Sequence, residues 1–346
     1  MLTDDHQIGT VMSASEATDT VSAPRAGIGR ILSRLGLAGI VIAFMIVMSF
    51  LSPVFLSLGN FRNLLIQSAI LAVLALGQTL VIMVRGIDLS IGGIMALSSS
   101  LAVGLMGANV LPGPLAIPFA LVIGALAGLI SGLAVTKLGI TPLIVTLAML
   151  SVTRGAVFVY TDGANFTVQS DAIIALAETK LLGLPLSVWL LALLALIVHL
   201  VLSRTVFGRA LYATGGNETA ARLAGIPTAR VATLAYVVSG LMAAIAGLIL
   251  SGRLETAGPR AGQGIELTVI AACVIGGTSL FGGQGNVIGT LLGVALITLV
   301  GNAINLLGVP PAWDELVKGL VIFFAAFIDI VRRRYSASAV QVRGKT

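Results

Sequence analysis

The sequence predicts an all-α integral membrane protein of about ten transmembrane helices, some of them broken. Three observations predict it. The 346-residue chain is 57% hydrophobic and only 10% charged, against roughly 25% charged residues in soluble domains. Its mean hydropathy is +1.07. Uncharged runs long enough to cross a bilayer recur along it, and the two longest contain turn-forming breakers.

A crossing helix needs about 20 mostly apolar residues. On that rule the spans fall at 35–52, 63–84, 90–108, 115–136, 140–160, 186–203, 230–251, 266–281, 287–307 and 314–331. The runs 89–136 and 267–313 are divided by "NVLPGP" (Asn109 to Pro114) and "GGTSLFGGQGN" (Gly276 to Asn286). The first thirty residues are polar, mixed in charge and without the basic-then-apolar order of a signal peptide. They read as a disordered cytoplasmic tail over 1–30, followed by a membrane domain over 31–334 and a second cytoplasmic tail over 335–346.

The net charge of +6 is explained by topology. With the N-terminus inside, Arg25, Arg30, Arg34, Arg85, Lys137, Arg204, Arg209, Arg222, Arg230, Arg332, Arg333, Arg334, Arg343 and Lys345 are all cytoplasmic. Arg62, Lys180, Arg253 and Arg260 fall outside, and Arg154 and Lys318 lie within spans. Both termini are therefore expected in the cytoplasm, and the basic residues imply no nucleic acid partner. One cysteine (Cys273) and two separated histidines (His6, His199) give no metal site and no disulfide framework.

Two connections are long for a helical bundle. The outer one, Thr161 to Pro185, carries Asp162, Asp171 and Glu178 and suits a short amphipathic element on the outer surface. The inner one, Arg204 to Ala229, contains "GGNETAARLAGIPTAR". There Asn217 is a helix cap, Glu218 a first-turn acid, Gly225 a stop and Pro227 a bar to resumption. The expected helix has about eight residues, near 12 Å, with Glu218 and Arg222 at i,i+4 and a small surface around Ala221. Such a short helix needs something to hold it. It is either a plain connector or a knob for a cytoplasmic partner.

"GRALYATGGNETAARLAGI" (Gly208 to Ile226) resembles the cytoplasmic loop of bacterial ABC-importer permeases of the ribose/monosaccharide family. "VRGIDLSIGGIMALSS" (Val84 to Ser99), "GITPLIVTLAMLSVTRG" (Gly139 to Gly155) and the region from Gly252 to Val309 resemble further motifs of that family, in order. The resemblance covers about Leu35 to Arg334. It implies a type II-like ABC importer permease bundle with a cytoplasmic coupling helix, lying in the bacterial inner membrane in contact with lipid. It also implies three partners: a cytoplasmic ABC ATPase, a periplasmic sugar-binding protein and a second permease chain, most simply an identical one. Gly216, Asn217, Glu218, Ala221, Arg222, Leu223 and Gly225 would then contact the ATPase. The sequence contains no GxxxxGK[ST] phosphate loop, so no cofactor is expected and ATP is left to the partner. No hydrolase motif marks it as an enzyme.

A neutral sugar calls for hydrogen-bonding groups where spans break, because irregular backbone at membrane depth faces protein or a water cavity. The candidates are Asp88, Ser90, Thr141, Thr146, Arg154, Glu266, Thr278 and Ser279. Asp88 is either an interfacial acid paired with Arg85 or a gate residue. Arg154 is either a structural ion-pair member, with Glu266, Asp314 or Glu315 as partner, or a contact for cargo or binding protein. "GIDLSIGG" from Gly86 and "GTSLFGGQ" from Gly277 share a glycine and a leucine, but the span count gives them one orientation, so no inverted repeat is assigned. The alternatives are a proton-coupled secondary transporter, which would need ionisable groups at the midplane, a permease of the same kind carrying branched-chain amino acids, and, least favoured, an intramembrane enzyme.

Overall fold

The computed structural model describes residues 26–310 together with Trp313, Leu316, Gly319, Leu320 and Phe323. Its helices are α1 (Ala26–Leu51), α2 (Leu58–Met83), α3 (Ile91–Gly107), α4 (Gly113–Thr136), α5 (Pro142–Thr161), α6 (Asp171–Glu178), α7 (Leu186–Arg204), α8 (Val206–Gly216), α9 (Glu218–Leu223), α10 (Thr228–Leu254), α11 (Ile265–Ile275) and α12 (Val287–Leu306). Six of these are long and apolar enough to cross a membrane, and three shorter apolar segments, Gly36–Leu51, Ile91–Gly107 and Ile265–Ile275, accompany them. The tenth expected span, 314–331, falls largely outside the described residues, as do Asp314, Glu315, Lys318 and the tail residues 1–25 and 335–346.

Two expectations change. The span expected over 266–281 is helical only through Ile275, about 16 Å at 1.5 Å per residue, and cannot cross by itself. Gly277, Gly282 and Gly283 take left-handed φ of 88°, 81° and 71° and end the helix in a hairpin-like break. The inner connection 204–229 is not mainly loop. Thr205 caps a further helix, α8, by accepting from Gly208 N at 3.1 Å, a cap signal that the apolar-span rule does not register.

α2 and α10 form the centre. In its most apolar window α2 is 83% buried, against 22% for α5 and α7, which therefore present apolar side chains on the outside of the bundle. α10 packs on α4 through small residues. Gly124 lies against Gly240 O and Gly128 against Tyr236 O, with no room for a Cβ on either glycine, and Gly132 lies against Thr233. Lipid tails are as apolar as the helix faces, so close backbone approach of this kind supplies the association energy that hydrophobicity cannot.

The connection expected outside, 161–185, folds into short elements. α6, capped by Ser170, buries Ile173 and Ala177, and Gly252 of α10 packs directly on Ile173 O. β1 (Phe166–Thr167) pairs antiparallel with β4 (Thr256–Ala257), and β2 (Lys180–Leu181) with β3 (Leu184–Pro185). Arg62 of α2 reaches Glu178 of α6 at 2.6 Å. The amphipathic element thus rests on the ends of α2 and α10.

Candidate functional site: two helix breaks, a short capped helix and a cavity

The first break runs from Val84 to Ser90. Arg85 takes a left-handed φ of 64°, turning the chain out of α2 while Gly86 N still donates to Val81 O at 2.9 Å. Gly86 is hemmed in by Tyr236 Oη and the Val81 side chain, so a larger residue would not fit. Asp88 is fully buried. Its Oδ1 accepts from Ser90 N at 2.9 Å and Ser90 Oγ at 2.5 Å, and its Oδ2 from Ser239 Oγ at 2.8 Å. The Gln78 amide, oriented to satisfy its neighbours, donates to Asp88 O at 3.1 Å and accepts from Asp88 N at 3.2 Å. Thr146 Oγ1 of α5 donates to Pro142 O at 3.0 Å and reaches Ile87 O at 3.1 Å.

The expected pairing of Asp88 with Arg85 is therefore replaced. The left-handed turn at Arg85 sends its side chain away from the core, where Nε donates to Gly215 O at 2.8 Å and Nη2 to Gly216 O at 2.6 Å. Those carbonyls end α8, the end of a helix that favours a cation.

The second break, Gly276 to Asn286, reaches the same place. Gly283 N donates to Met83 O at 2.9 Å, and Tyr212 Oη of α8 donates to Gly285 O at 2.8 Å. Gly215 sits so close to Met83 O and Gly283 N that a Cβ has no space. Within the break Thr278 and Ser279 are buried; Ser279 N donates to Gln284 O at 3.1 Å, and Ser279 Oγ accepts from Phe281 N at 3.4 Å. The two broken segments that look alike in sequence thus converge at one end of the molecule on α8.

α9 projects from that end. Asn217 Oδ1 accepts from Ala220 N at 3.0 Å, Glu218 and Arg222 pair at 2.6 Å, and Gly225 with φ 81° closes the turn. The helix is six residues long, two fewer than expected, because its C-cap Ala224 already leaves helical geometry. Ala221 is its buried side, whereas Leu223 is 86% exposed.

At the opposite end lies a cavity of about 620 Å³ between α2, α10, the 260–268 segment and α12. Its polar lining is Gln67, Arg253, Arg260, Gln263, Thr268, Thr298 and Asn305. None of the eight candidate pathway residues lines it. Thr141 is exposed at the start of α5. Among the described residues Arg154 forms no hydrogen-bonded ion pair, and two of its expected partners, Asp314 and Glu315, lie outside them: its Nη1 donates to Pro259 O and Ala261 O, both at 2.7 Å. Glu266 comes close beside it over Gly92, yet Arg154 Nη2 and Glu266 Oε2 are both buried without a hydrogen-bond partner. The backbone of 259–261 takes the guanidinium through a contact across 105 residues that the local sequence does not announce. The cavity residues were missed because they come from four separate parts of the chain, and only Arg253 and Arg260 stood out, as charges beside a span end.

These features define a class: a multi-pass, all-helical membrane permease with discontinuous helices and a structured element at one membrane face. The family described as branched-chain amino acid transport system permease component matches residues 60–326, and the chain belongs to that family. Its relatives include the ribose import permease protein RbsC of Bacillus subtilis, 43% identical over 82% of this chain and 88% of the relative. The L-arabinose ABC transporter permease protein AraH of Azospirillum brasilense is 33% identical over 92% of this chain and 95% of the relative. The autoinducer 2 import system permease protein LsrC of an Enterobacter is 37% identical over 86% and 84%. No solved structure gives a significant match.

Proposed function

We propose that this chain is the membrane permease subunit of an ATP-driven, binding-protein-dependent importer for a monosaccharide, ribose or a related small sugar. The observation that carries the reading is the similarity to import permeases for ribose and arabinose across most of the chain. It is supported by the separation of a docking knob and a polar cavity at opposite ends. In this reading both termini are cytoplasmic, a cytoplasmic ATPase grips α8 and α9, a periplasmic binding protein delivers sugar at the cavity end, and two identical chains pair to form the pore.

The similarity to ribose and arabinose permeases favours a sugar over a branched-chain amino acid. The cavity lining offers amides, hydroxyls and two guanidinium groups, all able to bond sugar hydroxyls. Alternating access follows: ATP-driven closure of the ATPase displaces α9, the breaks attached to α8 shift, and the outer cavity opens to the binding protein.

The test is uptake of labelled ribose and arabinose into proteoliposomes holding the permease, its ATPase and its binding protein. Uptake that requires ATP and ignores a protonophore is the expected result. Uptake that survives ATP depletion and collapses with the protonophore would establish a secondary transporter instead.

A further inference from the structure

The docking reading leaves one step unexplained: how motion of a small surface helix reaches helices buried in the membrane. Resting on that reading, we propose that Arg85 is the strut of this transmission, its guanidinium binding the carbonyls of Gly215 and Gly216 so that α8 and the α2–α3 break move as one body. Arg85 is a positioning residue and touches neither cargo nor nucleotide.

Four observations carry the proposal. The two bonds, 2.8 and 2.6 Å, come from different nitrogens of one planar guanidinium, so they fix orientation as well as distance, which a single point charge does not. Around them three backbones are in direct contact. A Cβ on Gly215 would strike Met83 O and Gly283 N, and one on Gly282 would strike the Arg85 side chain, Gly215 O and Met83 O. Close-packed contacts of this kind transmit displacement because they have no slack.

Inward from Arg85 the connection continues without a gap. Three residues on, the Asp88 main chain is held by Gln78, and its carboxylate is held by Ser90 at the start of α3 and by Ser239 in the middle of α10. Outward, α8 passes directly into α9 through Asn217, whose side chain caps α9 and whose N–H donates to Ala213 O at 3.0 Å. A shift of α9 therefore has a bonded route through α8, Arg85 and Asp88 to α3 and α10. The left-handed backbone at Arg85 is what aims the side chain along that route.

The experiment compares wild type, Arg85→Ala and Arg85→Lys in the complete reconstituted importer. It reads ATPase copurification, ATP hydrolysis and sugar taken up per ATP hydrolysed. Arg85→Ala should retain the ATPase and its hydrolysis but move about five-fold less sugar per ATP, or less still. Arg85→Lys, able to reach one carbonyl at a time, should fall between. An unchanged ratio in Arg85→Ala overturns the proposal. Loss of the ATPase from the Arg85→Ala complex also overturns it, since the residue would then shape the docking surface. If Arg85→Ala fails to accumulate, a wild-type ratio in Arg85→Lys overturns it. Charge reversal at Glu218 tests docking separately: normal ATPase binding and uptake there would remove the docking reading and the proposal with it, whereas a docking defect there with an unchanged ratio in Arg85→Ala would remove the proposal alone.

Discussion

Ser239 Oγ, halfway along α10, donates at 2.8 Å to Asp88 Oδ2 in the break between α2 and α3. These residues are 151 positions apart, and both are buried. Removing one partner of a buried polar pair leaves the other unsatisfied, at a cost of about 1–3 kcal/mol, more for a charged group. Ser239→Ala should therefore lower the thermal midpoint of the detergent-solubilised permease. Ser239→Cys, which retains a weak donor, should lower it less. Equal melting of the Ala variant and wild type would show that the contact does not hold the break.

The α4–α10 seam predicts a sharper size limit. Gly240→Leu must push a side chain into the Gly124 backbone, and overpacking a tight contact costs about 1–3 kcal/mol or more. The variant should accumulate poorly and elute as aggregate on size exclusion. Gly155→Leu, at a glycine with open space around it, should behave like wild type.

The Glu218–Arg222 pair separates docking from folding. Both side chains are largely exposed, at 51% and 71%, and exposed i,i+4 pairs contribute only about 0.3–0.5 kcal/mol. Charge reversal at Glu218, or Leu223→Asp, should leave the melting temperature almost unchanged while reducing ATPase copurification and sugar uptake together. Full uptake in both variants would exclude α9 as the docking knob.

Cavity size should control transport without touching assembly. Thr298 of α12 faces the cavity, and Thr298→Trp would fill part of its 620 Å³. Uptake should drop about ten-fold or more, a change of 1.4 kcal/mol in the relevant step, while the ATPase remains bound. Undiminished uptake would place the sugar route elsewhere.

Topology is checked by labelling. Cys273 is the chain's one cysteine and is buried, so added cysteines are read against a low background. Leu182→Cys and Leu223→Cys are exposed positions at 85% and 86%. In intact cells an impermeant thiol reagent should reach the first and not the second. The reverse pattern would invert the proposed orientation.

Much of this was legible in the sequence because its signals are local. The caps at Asn217 and Gly225, the pair at i,i+4 and the nine described apolar segments depend on neighbours within a turn or two. The partners of Asp88 and Arg154 were not legible. A charge names the need for a counterpart, but here hydroxyls and backbone carbonyls supplied it, and those groups occur on almost every residue. The polar cavity was hidden for the same reason, since its lining comes from separate elements.

By itself the sequence determined that this chain lies in a membrane, where most of its long apolar helices run and that a short capped helix lies in one long connection. Hydropathy and capping are summed over contiguous residues, so they survive without a fold. Only the tertiary structure decided that the two glycine-rich breaks meet on α8 and that Arg85 binds Gly215 and Gly216, leaving Asp88 to Ser90 and Ser239. Those choices are made where distant backbones come within van der Waals contact, and the small residues that permit the approach do not specify which partner arrives.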